Sequence, residues 1–182
     1  MNMKIFSPNW GKLFLFCLGL LIGSSFAMKW MESDLIFNGK MISIFGLELF
    51  YSREKIVEIF SGIDEKVRTI LVYHLSFDFV FMSGCFPGIA SLCMIAAEKI
   101  KKESLRRMLL ILALLQLIAW LFDIIENYYL LKWLKTPNIG NEFGFYHTVV
   151  YSKWIIALSA TLIAISILIG SMFTRNSRNL RS

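Results

Sequence analysis

The chain has 182 residues, of which 57% are hydrophobic and 18% are charged, and its formal net charge is +6. Its mean hydropathy of +0.62 is far above that of a soluble domain of this length, which argues against a water-soluble fold. The basic residues stand mainly at the ends of apolar runs. They indicate anchoring at an anionic membrane leaflet, and no nucleic-acid partner is expected.

Four apolar runs predict four membrane-spanning helices. A helix needs about 20 residues to cross roughly 30 Å of hydrocarbon, and each run approaches that length. The predicted spans are about residues 11–29, 69–97, 107–131 and 148–173. We therefore expect an all-α membrane protein in which residues 1–182 form one domain, a four-transmembrane-helix bundle embedded in a lipid bilayer.

The first span has two interpretations. Lysines precede its short apolar core and small residues follow it, a pattern also typical of a cleavable signal peptide. However, Gly19 and Gly23 form a GxxxG pair, and Ala27 stands four residues further on. This small-residue stripe suits close helix packing in lipid, so we favour retention of the span.

A small outer lid is predicted between the first and second spans, over residues 30–68. Asn38-Gly39 lies between two apolar segments, the sequence expected of a type I′ β-hairpin. Ser52 is a good N-cap for a short helix, and Asp64 is a second cap candidate before the next span. The apolar face of the short helix is predicted to comprise Ile56, Val57 and Phe60. Such a lid either rests on the helix ends or gates a site beneath them.

Basic residues in the short segments predict the orientation of the chain. Short loops rich in lysine and arginine remain in the cytoplasm. In this chain, ten lysine and arginine residues fall in the N-terminal segment, the connection between spans two and three, and the C-terminal tail. The loop 132–147 has only Lys132 and Lys135. We expect a multi-pass protein of the cytoplasmic membrane with both termini cytoplasmic. The ten residues are Lys4, Lys12, Lys99, Lys101, Lys102, Arg106, Arg107, Arg175, Arg178 and Arg181.

Cysteine usage and known motifs suggest no familiar enzyme class. Cys17, Cys85 and Cys93 fall within predicted spans without CxxC spacing, so we expect them to be buried, unpaired and inert. The sequence contains no nucleotide-binding loop, HExxH pair or nucleophile motif. We therefore expect no cofactor.

Ionisable residues interrupt three of the spans at similar depths, calculated at about 1.5 Å per helical residue. Asp123 and Glu126 lie about 12 Å and 8 Å below the outer end of span three. Asp78 and His74 lie about 13 Å and 8 Å below that of span two, and Lys153 lies about 8 Å below that of span four. Charged groups at such depths face the bundle interior and pair with one another.

Helical spacing places these residues on shared faces. His74 and Asp78 are four residues apart, and Asn127 shares a stripe with Asp123 and Glu126. We therefore expect one polar chamber that opens toward the outer surface. Its predicted members are His74, Asp78, Asp123, Glu126, Asn127 and Lys153.

The chamber has a structural and a functional interpretation. A buried lysine–carboxylate pair can simply fix the helix register. Yet three carboxylates face one lysine, so the surplus must hold protons, bind a cation or reach water. A metal site is a weaker alternative, because the ligand types are ordinary but their spacing is not diagnostic. Its ligands would be His74, Asp78, Asp123 and Glu126.

Four segments resemble a group of small bacterial four-span membrane proteins, over about residues 46–156. They are "GLELFYSREKIVEIF", "YHLSFDFVF", "FDIIENYYL" and "SKW". The shared pattern is an acidic LEL segment, an aspartate followed by aromatic residues, a D-x-x-E-N motif and a lysine that opens span four. The resemblance implies a common fold without an assigned activity, and it implies Glu48, Asp78, Asp123, Glu126, Asn127 and Lys153 as site residues.

Three functional hypotheses follow. The first is an enzyme or binding protein for an amphiphilic, lipid-like molecule of the outer leaflet, in which Asp78, Asp123 and Glu126 are catalytic acid–base candidates. The second is a structural subunit that packs against a partner membrane protein. The third is a proton- or cation-coupled carrier, which would need a homo-oligomer because four helices leave little room for a path. Under the first hypothesis the binding residues are Lys153, Asn127, His74 and Glu48.

Overall fold

Four long helices account for most of the chain in the computed structural model, which describes residues 9–179 and, for residues 172–179, the backbone alone. They are α1 Trp10–Glu32, α3 Glu65–Lys99, α4 Glu103–Lys135 and α5 Glu142–Asn179. Between α1 and α3 lie β1 Ile36–Phe37, β2 Lys40–Met41, a π-helix Gly46–Phe50 and α2 Arg53–Gly62. Each long helix contains a stretch long and apolar enough to cross a membrane, which confirms the predicted class of helical architecture. Of the predicted cytoplasmic basic residues, Lys4 and Arg181 lie outside the described residues.

The helices extend beyond the predicted spans at both ends. Apolarity marks only the part of a helix that would lie in hydrocarbon, whereas the helix itself continues until its backbone is capped. α3, for example, begins four residues earlier than predicted, because the Asp64 carboxylate accepts a 2.8 Å hydrogen bond from the Val67 N–H. Similarly, α4 continues to Lys135, four residues past the predicted end.

The predicted hairpin and short helix are present between α1 and α3. Asn38 and Gly39 have positive φ angles of 50° and 72°, as a type I′ turn requires at both central positions. The Ser52 hydroxyl accepts a hydrogen bond from the Lys55 N–H at the start of α2. The predicted apolar face of α2 needs one correction: Ile56, Ile59 and Phe60 are buried, whereas Val57 lies only at the edge of the core.

The hairpin, the π-helix and α2 form a compact unit, here called the lid, which packs against the ends of α3, α4 and α5. Arg68 of α3 donates hydrogen bonds to the carbonyls of Phe60, at 2.8 Å, and Leu134. The Tyr146 hydroxyl donates to the Leu47 carbonyl at 3.1 Å. Each large apolar side chain buried in this core contributes about 1.5–3 kcal/mol. The shared core includes Leu35, Ile42, Leu47, Ile56, Phe60, Leu71, Leu130, Trp133 and Tyr146.

The contact between α1 and α3 uses the glycines of α3 and not those of α1. A Cβ atom added at Gly84 would lie only 2.8 Å from the Cys17 carbonyl oxygen and the Leu21 nitrogen. At Gly19 and Gly23, by contrast, an added Cβ would meet nothing within 4 Å. The predicted packing stripe of α1 therefore faces away from α3. At about 100° per residue, Gly19 lies about 160° and Gly23 about 120° around α1 from Cys17.

We expect Gly84→Ala to lower the free energy of unfolding by roughly 1–3 kcal/mol, because the new methyl group would meet backbone atoms that can move only with the whole of α1. Gly23→Ala is the matched control, and it should leave stability unchanged or raise it slightly, since alanine favours the helix. Chemical unfolding in detergent measures both effects. Greater destabilisation by Gly23→Ala would place the α1 glycines in an interface instead.

Candidate functional site

Lys153 of α5 lies at the centre of a buried group of charges beneath the lid. Its side chain is only 7% exposed, and its Nζ lies 2.8 Å from Asp123 Oδ1 and 2.5 Å from Glu126 Oε2. Asp123 and Glu126 are three residues apart on α4, so both carboxylates project from one face of that helix. The lysine thus joins α5 to α4 through two ion pairs.

A third carboxylate reaches Lys153 from the lid. Glu48 belongs to the π-helix, and its Oε2 lies 3.5 Å from Lys153 Nζ. The same oxygen accepts a 3.1 Å hydrogen bond from Trp154 Nε1. Burial raises the pKa of Glu48, and the charge of Lys153 opposes this effect. The lid therefore does more than rest on the helix ends, because it supplies one of the charged groups.

A fourth carboxylate is joined through Asn127. Asn127 follows Glu126 on α4 and is buried, and its Nδ2 donates a 2.5 Å hydrogen bond to Asp78 Oδ2 on α3. Asp78 is itself half-buried. The structure thus brings four elements together in one place. We call this group the acidic cluster: Glu48, Asp78, Asp123, Glu126, Asn127 and Lys153.

His74 does not join the acidic cluster, contrary to the expectation from its spacing. Its Nε2 lies 3.8 Å from Glu32 Oε1, at the end of α1, and neither ring nitrogen makes a hydrogen bond to any of the described residues. His74 stands one helical turn nearer the lid than Asp78, where α1 ends and Glu32 is the carboxylate within reach. Shared spacing along α3 did not reveal which neighbouring helix each side chain faces.

The described residues provide no group of three or more His, Cys, Asp or Glu side chains arranged to hold a metal ion. The proposed ligands His74, Asp78, Asp123 and Glu126 are separated because Lys153 occupies the space between two carboxylates and His74 pairs with Glu32. This arrangement therefore gives the metal alternative no support. All three cysteines are free, as expected, and Cys85 is only half-buried.

The charges of the acidic cluster do not balance. Among the described residues, Lys153 is the one cation within 4.0 Å of these four carboxylates. Desolvating an unpaired carboxylate is costly, so full ionisation of all four would leave an excess that the protein itself does not neutralise. The arrangement can therefore hold protons or accept a cationic group, and its carboxylates can accept hydrogen bonds.

Trp154 contacts the acidic cluster but was not among the predicted site residues. Its indole N–H donates a hydrogen bond to Glu48, and its ring centroid lies 5.5 Å from Lys153 Nζ. The available signal was an aromatic donor directly after an isolated lysine in an apolar run. Spacing arguments overlooked it because adjacent helical residues point about 100° apart.

Comparison with known proteins found no matching family model, no matching curated protein and no matching solved structure. The resemblance to small bacterial four-span membrane proteins therefore stays a prediction. The roles of the site residues must be argued from their geometry and chemistry alone.

Proposed function

We propose that the chain is a multi-pass protein of the cytoplasmic membrane, with cytoplasmic termini and an outward lid, whose acidic cluster binds an amphiphilic molecule of the outer leaflet. Four helices long and apolar enough to cross a membrane support the insertion. The ten basic residues at one end of the predicted spans support the orientation.

The observation that carries the proposal is the surplus of carboxylates at one partly enclosed place. A pair that only fixes helix register needs one acid for each base, and Asp123 with Lys153 already meets that need. Glu126, which is buried, and Glu48 and Asp78, which are half-buried, add three further acids. Their desolvation destabilises the fold unless something compensates them. Proteins tolerate such groups where binding or proton transfer requires them.

The proposed roles follow from the contacts. Asp78, Asp123 and Glu126 accept protons or hydrogen bonds from the polar end of the ligand. Lys153 and Asn127 hold these carboxylates in place. The same carboxylates suit acid–base chemistry on a bound molecule. Carboxyl groups in different surroundings have different pKa values, so one can donate a proton while another accepts one. Glu48 closes the cluster from the lid.

The structural alternative has one specific observation in its favour. Lys153 contacts Asp123 and Glu126 at 2.8 and 2.5 Å, which is close enough to fix α5 against α4 without any ligand. Under this alternative the protein is an accessory subunit whose outer lid binds a partner membrane protein. Substitutions of Lys153 and of the carboxylates separate the two functions, because only the binding site needs the charge of Glu126.

Native mass spectrometry of the intact chain tests ligand binding directly. After mild solubilisation from its own membranes, the wild-type protein should retain an amphiphile of defined mass, and Glu126→Gln should lose it. Glu58→Gln is the matched control, because Glu58 is an exposed glutamate of α2 that pairs with Lys55. Spectra without adducts for the wild type, or with the same adducts for all three proteins, would contradict the proposal.

The proposed orientation predicts which positions a membrane-impermeant maleimide can reach in intact cells. Asn38→Cys in the hairpin and Asn138→Cys after α4 should be labelled from outside, since both positions are exposed. Ser104→Cys, at an exposed position in the first turn of α4, should be labelled only after permeabilisation. The reverse pattern would overturn the orientation and, with it, the placement of the cluster in the outer leaflet.

A further inference from the structure

A cleft of about 440 Å³ lies between α1 and α5, over α3. Its walls are mostly apolar, and they include Leu18, Leu21, Gly84, Leu158, Thr161 and Ile165. The two helices that border it make few direct contacts, because α1 packs on α3 through the glycine contact at Gly84. The cleft is thus open to the side, where hydrocarbon would surround the helices.

The cleft is long enough to hold an aliphatic chain. Along α5 it extends from Trp154 to Ile165, and eleven residues of helix span about 16 Å. Trp154 lies six residues, or about 9 Å, inside the predicted outer end of span four at residue 148, so the cleft begins in the outer half of the roughly 30 Å hydrocarbon layer and crosses its middle. An extended aliphatic chain would therefore fit along it, with its polar end at Trp154, at the depth of the acidic cluster.

The end of the cleft at Trp154 adjoins the acidic cluster. Trp154 lines the cleft and donates its indole N–H to Glu48. Cys85, on the floor of the cleft, lies close enough to Asp123, Lys153 and Asp78 for their charges to act on it. No carboxylate of the acidic cluster lines the cleft, so a molecule whose chain occupies it would place its polar end at Trp154, next to Glu48.

Charge complementarity identifies the kind of polar end. Within the part of the chain that the structure describes, Glu48, Asp123 and Glu126 surround a single ammonium group, that of Lys153, and the polar partner of Asp78 is the neutral amide of Asn127. A second cation would offset part of the remaining negative charge. A protonated amine would also donate hydrogen bonds to carboxylate oxygens. A quaternary ammonium has no N–H group and cannot donate them.

We propose that the ligand is an amphiphile of the outer leaflet that carries a protonated amine and an aliphatic chain. The amine binds the carboxylates of the acidic cluster, and the chain lies in the cleft between α1 and α5. This inference rests on the proposed function and adds to it the chemical class of the ligand and the path of its chain.

Thermal unfolding of the full chain with four probes tests the ligand class. The protein is held in a steroidal detergent without an alkyl chain, and the probes are dodecylamine, dodecan-1-ol, dodecanoic acid and hexylamine. Dodecylamine at about 100 times its Kd should raise the Tm by roughly 5–10 °C. The alcohol and the acid lack the cation, and hexylamine lacks the chain length, so each should have little effect.

Cleft-filling variants test the path of the chain. Thr161→Trp should abolish the shift caused by dodecylamine, because the indole would occupy the middle of the cleft. Ile155→Trp is the matched control, since Ile155 is an exposed residue of the same helix outside the cleft. Leu158→Trp fills the cleft from a more exposed position, and it replaces Thr161→Trp if that variant unfolds without ligand.

The probe shifts and the cleft variants test the amine and the cleft separately. Equal shifts with dodecylamine and dodecan-1-ol would overturn the amine, and equal responses of the cleft and control variants would overturn the cleft. No shift with any probe, while native mass spectra still show a retained amphiphile, would overturn this inference and leave the proposed function intact. Absence of both the shift and the retained amphiphile would overturn both.

Discussion

Lys153→Met should lower the free energy of unfolding by roughly 3–5 kcal/mol, because it leaves buried carboxylates without their cation. Methionine nearly matches the length of the lysine side chain, so the loss of charge dominates over the loss of packing. The ammonium group now lies within 3.5 Å of Glu48 and closer to Asp123 and Glu126. Denaturant titration of the detergent-solubilised protein, followed by helical circular dichroism, measures the change.

Two further variants show whether the effect of Lys153→Met comes from the buried charges. Lys55→Met removes an exposed lysine paired with Glu58, and such a surface pair contributes only about 0–1 kcal/mol. Lys153→Met combined with Asp123→Leu, Glu126→Leu and Glu48→Gln removes the lysine together with all three carboxylates that contact it, which should restore much of the stability. If Lys153→Met were as stable as the wild-type protein, the inference that Lys153 stabilises these carboxylates in the folded state would be wrong.

Asp123→Asn and Glu126→Gln should abolish the cellular function while the protein stays folded. Each change keeps the size of the side chain and removes its charge, so it relieves part of the negative excess around Lys153. Functional charges are commonly retained at the expense of stability, and the Glu126→Gln protein should melt at or above the wild-type temperature. Complementation of a deletion strain, measured beside the melting temperature, gives both results.

The same pair of measurements distinguishes a binding site from a packing device. Glu58→Gln, on the exposed face of α2, should complement fully and melt normally. A Glu126→Gln protein that melts early yet complements fully would mean that the carboxylate only fixes helix register. One that melts normally and fails to complement supports the proposed site.

The architecture could be predicted because its signals are local. Apolar runs identify helices, the Asn38-Gly39 pair specifies a hairpin turn, and Ser52 and Asp64 cap the helices that follow them. The face of α1 that packs on α3 could not be predicted, because a GxxxG pair indicates close packing without saying against what. Gly84 of α3 takes that role instead.

Only part of the acidic cluster could be predicted from the sequence. Depth and helical spacing predicted that Asp123, Glu126 and Lys153 share one location, since these properties follow from position along straight helices. Glu48 entered the predictions through the family resemblance alone, because it lies 106 residues from Trp154 in sequence and reaches that residue through a π-helix. Neither the π-helix nor the path of the lid has a local sequence signature.

Cryo-electron microscopy of the full chain in a nanodisc of its own membrane lipids would show whether a ligand occupies the cleft and reaches the acidic cluster. A bound antibody fragment against the lid would supply the particle mass needed for alignment. We expect elongated density in the cleft between α1 and α5, ending beside Trp154, with a polar group in contact with Glu48 or Asp78. A cleft closed by its own side chains, with the acidic cluster empty of any bound group, would contradict it.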